Sequence, residues 1–126
     1  MKNSIISFII FILTIVCIIF SLNHLDVVYN DLSNICVSIQ HDIDNGNWEK
    51  ASSKCDSLIK VWSSQGKFLS SFSSEEELHT INDRLISLQS YIDLQNKEEA
   101  RVYSNQISFF LNHIKKMQEL NIENIF

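Results

Sequence analysis

Leu25-Asp26-Val27-Val28-Tyr29-Asn30-Asp31-Leu32-Ser33-Asn34-Ile35-Cys36-Val37-Ser38-Ile39-Gln40-His41-Asp42-Ile43, followed by Asp44-Asn45-Gly46-Asn47-Trp48, is the stretch on which the fold depends. Leu25, Val28, Leu32, Ile35, Cys36, Ile39 and Ile43 recur mostly at steps of three and four with polar residues between them, which is one face of an α-helix and not the alternation of a strand. Asn45-Gly46-Asn47 reads as the turn, because glycine takes the left-handed conformation that ends a helix and Asn47 can accept a hydrogen bond from the next helix's free N–H groups. A second stripe follows at Trp48, Ala51, Cys55, Leu58, Ile59 and Trp62, ending near Gly66. Two amphipathic helices joined this way predict an antiparallel hairpin.

Toward the N-terminus the character changes. From Asn3 to Leu22 the chain carries no charge and is built mostly of isoleucine, leucine, valine and phenylalanine. As a helix this run spans about 30 Å, the thickness of a bilayer's hydrocarbon core. A cleaved secretory signal peptide competes with this reading, but the residues after the apolar run, Phe20 to His24, offer no pair of small residues at alternate positions for cleavage. Val16 also makes Cys17 a poor lipoprotein cysteine. The expectation is an uncleaved anchor over residues 1–22, contacting lipid through residues 3–22, and an extracytoplasmic helical domain over residues 23–126. No helix breaker lies between them, so one helix of about 65 Å is expected from residue 3 to residue 45. Lys2 precedes the apolar run, whereas no lysine or arginine follows it before Lys50. The positive-inside rule then places the N-terminus in the cytoplasm and the domain outside, in a single-pass cell-membrane protein.

Toward the C-terminus, Ser63–Ser74 is serine-rich but holds Phe68, Leu69 and Phe72, so it reads as a connection packed on the core. Ser74-Glu75-Glu76-Glu77 is a capping box, with negative charge at the positive end of the helix dipole. Leu78, Ile81, Leu85, Leu88 and Ile92 form the next stripe. Asn96-Lys97-Glu98-Glu99 opens a further helix with Ala100, Tyr103, Ile107, Phe110, Leu111, Ile114 and Met117 on its apolar face. The tail residues Leu120, Ile122, Ile125 and Phe126 are expected to fold back onto the bundle. The fold class is all-α: an N-terminal transmembrane helix leading into an antiparallel four-helix bundle of two helical hairpins. A shift of 49 residues aligns Ser38 with Ser87, Ile43 with Ile92, Asp44 with Asp93, Asn47 with Asn96, Glu49 with Glu98 and Ala51 with Ala100, a weak internal repeat. Gly46 to Ala51 resembles the turn of tetratricopeptide-type helical repeats, although two hairpins are too few for a solenoid.

Composition excludes several classes. In 126 residues there are two glycines and no proline, too few for a turn-rich β-fold or a phosphate-cradling loop. From Asn23 onward nine basic residues stand against 15 acidic ones, a net charge of −6 with no basic cluster, so nucleic acid is not an expected partner.

The residues that could carry chemistry do not assemble into a motif. Glu76 and His79 have the spacing used in di-iron bundles, but Ser38 and Phe110 occupy the positions three before His41 and His113, so the second pair is missing. No C-x-x-C or H-x-x-x-H occurs, and no serine stands in a nucleophile elbow. No catalytic residue, metal ligand or cofactor is expected, and the chain is read as not an enzyme. Cys17 reads as a small apolar residue. Cys36 and Cys55 fall on facing stripes on either side of Gly46. A disulfide between them needs helices closer than the usual 8–10 Å, and two buried free thiols are the alternative. Trp48 and Trp62 are expected to pack in the core.

The chain resembles the family known as domain of unknown function 4363, described as small single-pass membrane proteins of spore-forming Gram-positive bacteria. The anchor beginning Met1-Lys2, the Trp48 region, Ala100 and the ending Leu120-Asn121-Ile122-Glu123-Asn124-Ile125 carry the resemblance over nearly the full chain. It implies an anchored helical domain and no assigned activity; Cys36 and Cys55 match no feature of it. The expected function is a non-catalytic interaction module at the outer membrane face, binding an envelope or membrane protein. The alternative is a ligand-binding extracytoplasmic sensor subunit acting with a partner membrane protein, which a buried pocket at Trp48, Trp62, Tyr91 or Tyr103 would favour.

Overall fold

A computed structural model describes residues 1–125, apart from the side chains of Ile122 and Ile125, and within them every regular element is an α-helix. They are α1 (Lys2–Asp44), α2 (Trp48–Ser64), α3 (Gly66–Leu69), α4 (Glu75–Asp93) and α5 (Lys97–Ile125). The apolar run and the first amphipathic stripe are one uninterrupted helix of 43 residues, about 65 Å long. Most of the first half of α1 is unpacked, with Ile5, Phe8, Phe11, Leu13, Val16 and Phe20 all exposed. Its second half packs on α2 and α5, while α4 packs on α5 and α2.

The core is the stripes meeting: Leu32, Cys36, Ile39 and Ile43 from α1, Ala51, Cys55, Leu58 and Trp62 from α2, and their counterparts from α4 and α5. The 49-residue shift relates these positions one to one. Leu32 matches Ile81, Cys36 Leu85, Ile39 Leu88, Ile43 Ile92, Ala51 Ala100, Cys55 Ser104, Leu58 Ile107 and Trp62 Leu111, and all sixteen are buried. The turns repeat as well. Gly46 N–H donates to Ile43 O and Asn47 N–H to Asp42 O, at 3.2 and 2.8 Å; Gln95 donates to Ile92 and Asn96 to Tyr91, both at 2.9 Å. Each is the paired bond set that closes a helix around one left-handed residue. That residue is Gly46, φ 72°, in the first turn and Gln95, φ 53°, in the second.

Three expectations need correction. Among the described residues there are five helices, because α3 forms inside the Ser63–Ser74 connection. As expected, α2 ends close to Gly66, at Ser64; Gln65 stays right-handed and Gly66 opens α3. Asn47 makes no side-chain cap, and its backbone N–H serves the preceding helix instead. Finally, α5 continues through Ile125 and leaves Leu120 exposed, so the tail does not fold back as a separate piece. No glycine or proline interrupts α5, so nothing breaks its backbone ladder. The expectation for Phe126 lies outside the described residues. The capping box at Ser74 is present in full, with Glu77 N–H donating to Ser74 Oγ and Ser74 N–H to Glu77 Oε2.

Candidate functional site

The features with functional content are the exposed apolar half of α1, the polar groups inside the bundle, and the end of the bundle that meets α1's apolar run. The first is one helix long and apolar enough to cross a membrane, by length and composition. The unpacked isoleucine and phenylalanine side chains over some twenty residues are stable only away from water.

Inside the bundle Asp42 and Tyr29 are paired across elements, while Arg84 Nε, Gln89 Oε1 and Gln106 Oε1 are buried without a hydrogen-bond partner. Asp42 is 3% exposed at the upper end of α1, and its Oδ2 lies 2.5 Å from Lys54 Nζ of α2. Lys54 also donates to Ser38 Oγ at 2.6 Å. The hydrogen bond from Lys54 holds the Asp42 carboxyl below its ordinary value, overcoming the opposing effect of burial. Tyr29, against Ser73 Oγ at 3.2 Å, ties α1 to the connection after α3, and burial pushes its phenol up.

Cys36 and Cys55 are both fully buried free thiols. Cys36 Sγ donates to Ser104 O and accepts from Ser108 Oγ, each at 3.3 Å, so it is engaged by α5. Burial raises both thiols, Cys55 to about 12 with Asp56 adding to the effect. Cys17 is exposed on the apolar half of α1.

The histidines are dispersed. His24 meets Phe68 edge-on at 4.7 Å, His113 stacks on Phe109 at 6.1 Å, and His79 Nε2 stands 3.9 Å from Glu75 Oε1. His41 lies beside Asp42 on the exposed side of α1. Among the described residues no group of three or more His, Cys, Asp or Glu side chains is arranged to hold a metal ion. Trp62 is buried and Trp48 packs against the core. Trp62 also edges an open depression of about 420 Å³ with Leu78 and His79. Tyr91 and Tyr103 stack on each other at 5.3 Å, with Arg84 above Tyr103 at 5.6 Å, a surface ladder that residue spacing did not reveal because its members lie on two helices.

The family model for a domain of unknown function (DUF4363) matches residues 19–125, from the last turn of the apolar run through the whole bundle. The chain belongs to the DUF4363 family. No curated protein and no solved structure matches it. The DUF4363 match therefore covers the paired turns, the buried Asp42–Lys54 pair and the junction with the apolar run, and attaches no activity to them.

Proposed function

We propose that this DUF4363 protein is a membrane-anchored, non-catalytic interaction module. Residues 3–22 cross the bilayer of a bacterial cell with the N-terminus in the cytoplasm, and residues 23–126 form a four-helix bundle of two repeated antiparallel hairpins at the outer face. One observation carries this reading: the exposed apolar half of α1 continues without a break into the bundle, so the domain has no flexible linker and is held close to the membrane. Its partner is an envelope or membrane protein within reach of that position.

The sensor alternative calls for an enclosed cavity among the aromatic side chains. Trp48 and Trp62 pack against the core and Tyr91 and Tyr103 stack on one another, which favours the interaction reading. Cys36 and Cys55 are proposed to remain unbridged, since Cys36 is already engaged by Ser104 and Ser108 of α5. Crosslinking the full-length protein in its native membrane tests the function. The reading expects one membrane or envelope protein in stoichiometric yield, and recovery of no such protein would contradict it.

A further inference from the structure

The antiparallel register of α5 against α1 sets where α5 ends. At the upper end Arg101 Nε lies 3.1 Å from Asp44 Oδ1, and Lys97 donates to Asp44 O at 3.0 Å. At the lower end Lys115 Nζ reaches Asp26 Oδ1 and Asn30 Oδ1, both at 3.0 Å. Continuing that register, Leu120 stands level with residues 21–25 of α1, and the last turn of α5 runs beside the final turns of the apolar run. The connection after α3 reaches the same level. Phe72 forms, with Thr14, Cys17, Ile18, Ser21 and Leu22, a cleft of about 230 Å³, and Phe68 bridges Phe72 and His24 at 5.1 and 4.7 Å. Gln118 on α5 donates to Phe72 O, joining the two elements into one lower surface.

We propose that this lower end of the bundle, made by Phe68 and Phe72 after α2 and by the last turns of α5 from Leu120, is seated in the interfacial layer of the lipid bilayer. The proposal rests on the reading of residues 3–22 as membrane-spanning. The occupant follows from continuity: whatever surrounds Ile18 and Leu22 also surrounds Phe72, because they line one cleft. The side-chain mixture fits that layer. Phe72 and Leu120 supply apolar contact, Lys67 and Lys116 can extend their stems to place ammonium groups among headgroup phosphates, and Glu119 and Glu123 limit the depth to the headgroup boundary. The domain is then held by two contacts, the anchor and its own lower surface, which fixes its tilt and leaves its sides and upper end for a protein partner.

Hydroxyl-radical footprinting of the unmodified full chain, reconstituted in vesicles of equal parts phosphatidylcholine and phosphatidylglycerol, tests this with two matched pairs. Leu94 and Leu120 are 72% and 54% exposed, and Phe109 and Phe11 are 66% and 60% exposed, so in each pair the side chains themselves are comparably open. The expected result is oxidation of Leu94 and Phe109 with several-fold slower oxidation of Leu120 and Phe11. If Phe11 is protected while Leu120 oxidises like Leu94, the lipid contact of the domain is overturned and the anchor stands. Oxidation of Phe11 at the rate of Phe109 overturns the spanning reading and this proposal with it.

Discussion

Asp42 places a carboxylate in the core of a small bundle, and Lys54 is what makes that tolerable. Its folded pKa is depressed below the ordinary 3.8, so the pair's contribution to stability is present above pH 3.8 and disappears as pH falls through the lower folded value. Acid titration followed by circular dichroism is expected to show wild-type stability falling in that window, with a shallower fall for Asp42→Asn. Lys54→Met is expected to lower the melting temperature at neutral pH more than Asp42→Asn does, because it leaves the carboxylate buried without its partner. The thiols make a second prediction at this scale. Cys36 and Cys55 are buried and pushed up in pKa, so neither is expected to react with iodoacetamide at mildly alkaline pH until denaturant is added, when both should. A mass corresponding to a Cys36–Cys55 disulfide, seen after denaturation without reductant, would contradict the unbridged reading. Both cysteines were visible in the sequence as stripe residues. The engagement of Cys36 by α5 was not, because Ser104 and Ser108 are some seventy positions away from it along the chain.

The helices themselves were legible wherever an apolar period or a cap marked them. Ser74-Glu75-Glu76-Glu77 announced α4, and Ser74→Ala is expected to cost about 1 kcal/mol in chemical denaturation. The two left-handed turn residues divide legible from illegible. Gly46 was readable because glycine is the residue that adopts φ 72° freely, whereas Gln95 adopts φ 53° only because the turn around it requires it. A Cβ at Gly46 meets nothing within 4 Å, so the penalty for a side chain there is conformational. Gly46→Ala is expected to destabilise by about 1 kcal/mol, and Gln95→Gly to stabilise by up to about 1 kcal/mol, read from denaturation midpoints at unchanged slope. Gly66 marked the neighbourhood in which α2 ends, while the chain there stays right-handed and starts α3. In the tail, apolar residues suggested a fold-back, but the lack of any breaker in α5 was the stronger signal.

At the scale of the molecule, the eight core pairs and the two turns related by the 49-residue shift explain how a chain with two glycines and no proline closes a bundle. One hairpin pattern is used twice, and six aligned residues hinted at it while the burial pattern completes it. The only polar member among the sixteen positions is Ser104, the repeat counterpart of Cys55, where α5 approaches Cys36. The exposed half of α1 gives this bundle its location. In the proposed arrangement residues 3–22 cross the bilayer and everything from Asn23 onward stands outside. Labelling of Glu75→Cys on intact cells with a membrane-impermeant maleimide tests that arrangement most directly. The buried Cys36 and Cys55 and the bilayer-embedded Cys17 should leave the parent protein unlabelled, so it serves as the control. The account predicts labelling of the variant on intact cells at the same extent as after permeabilisation. Labelling only after permeabilisation would contradict it.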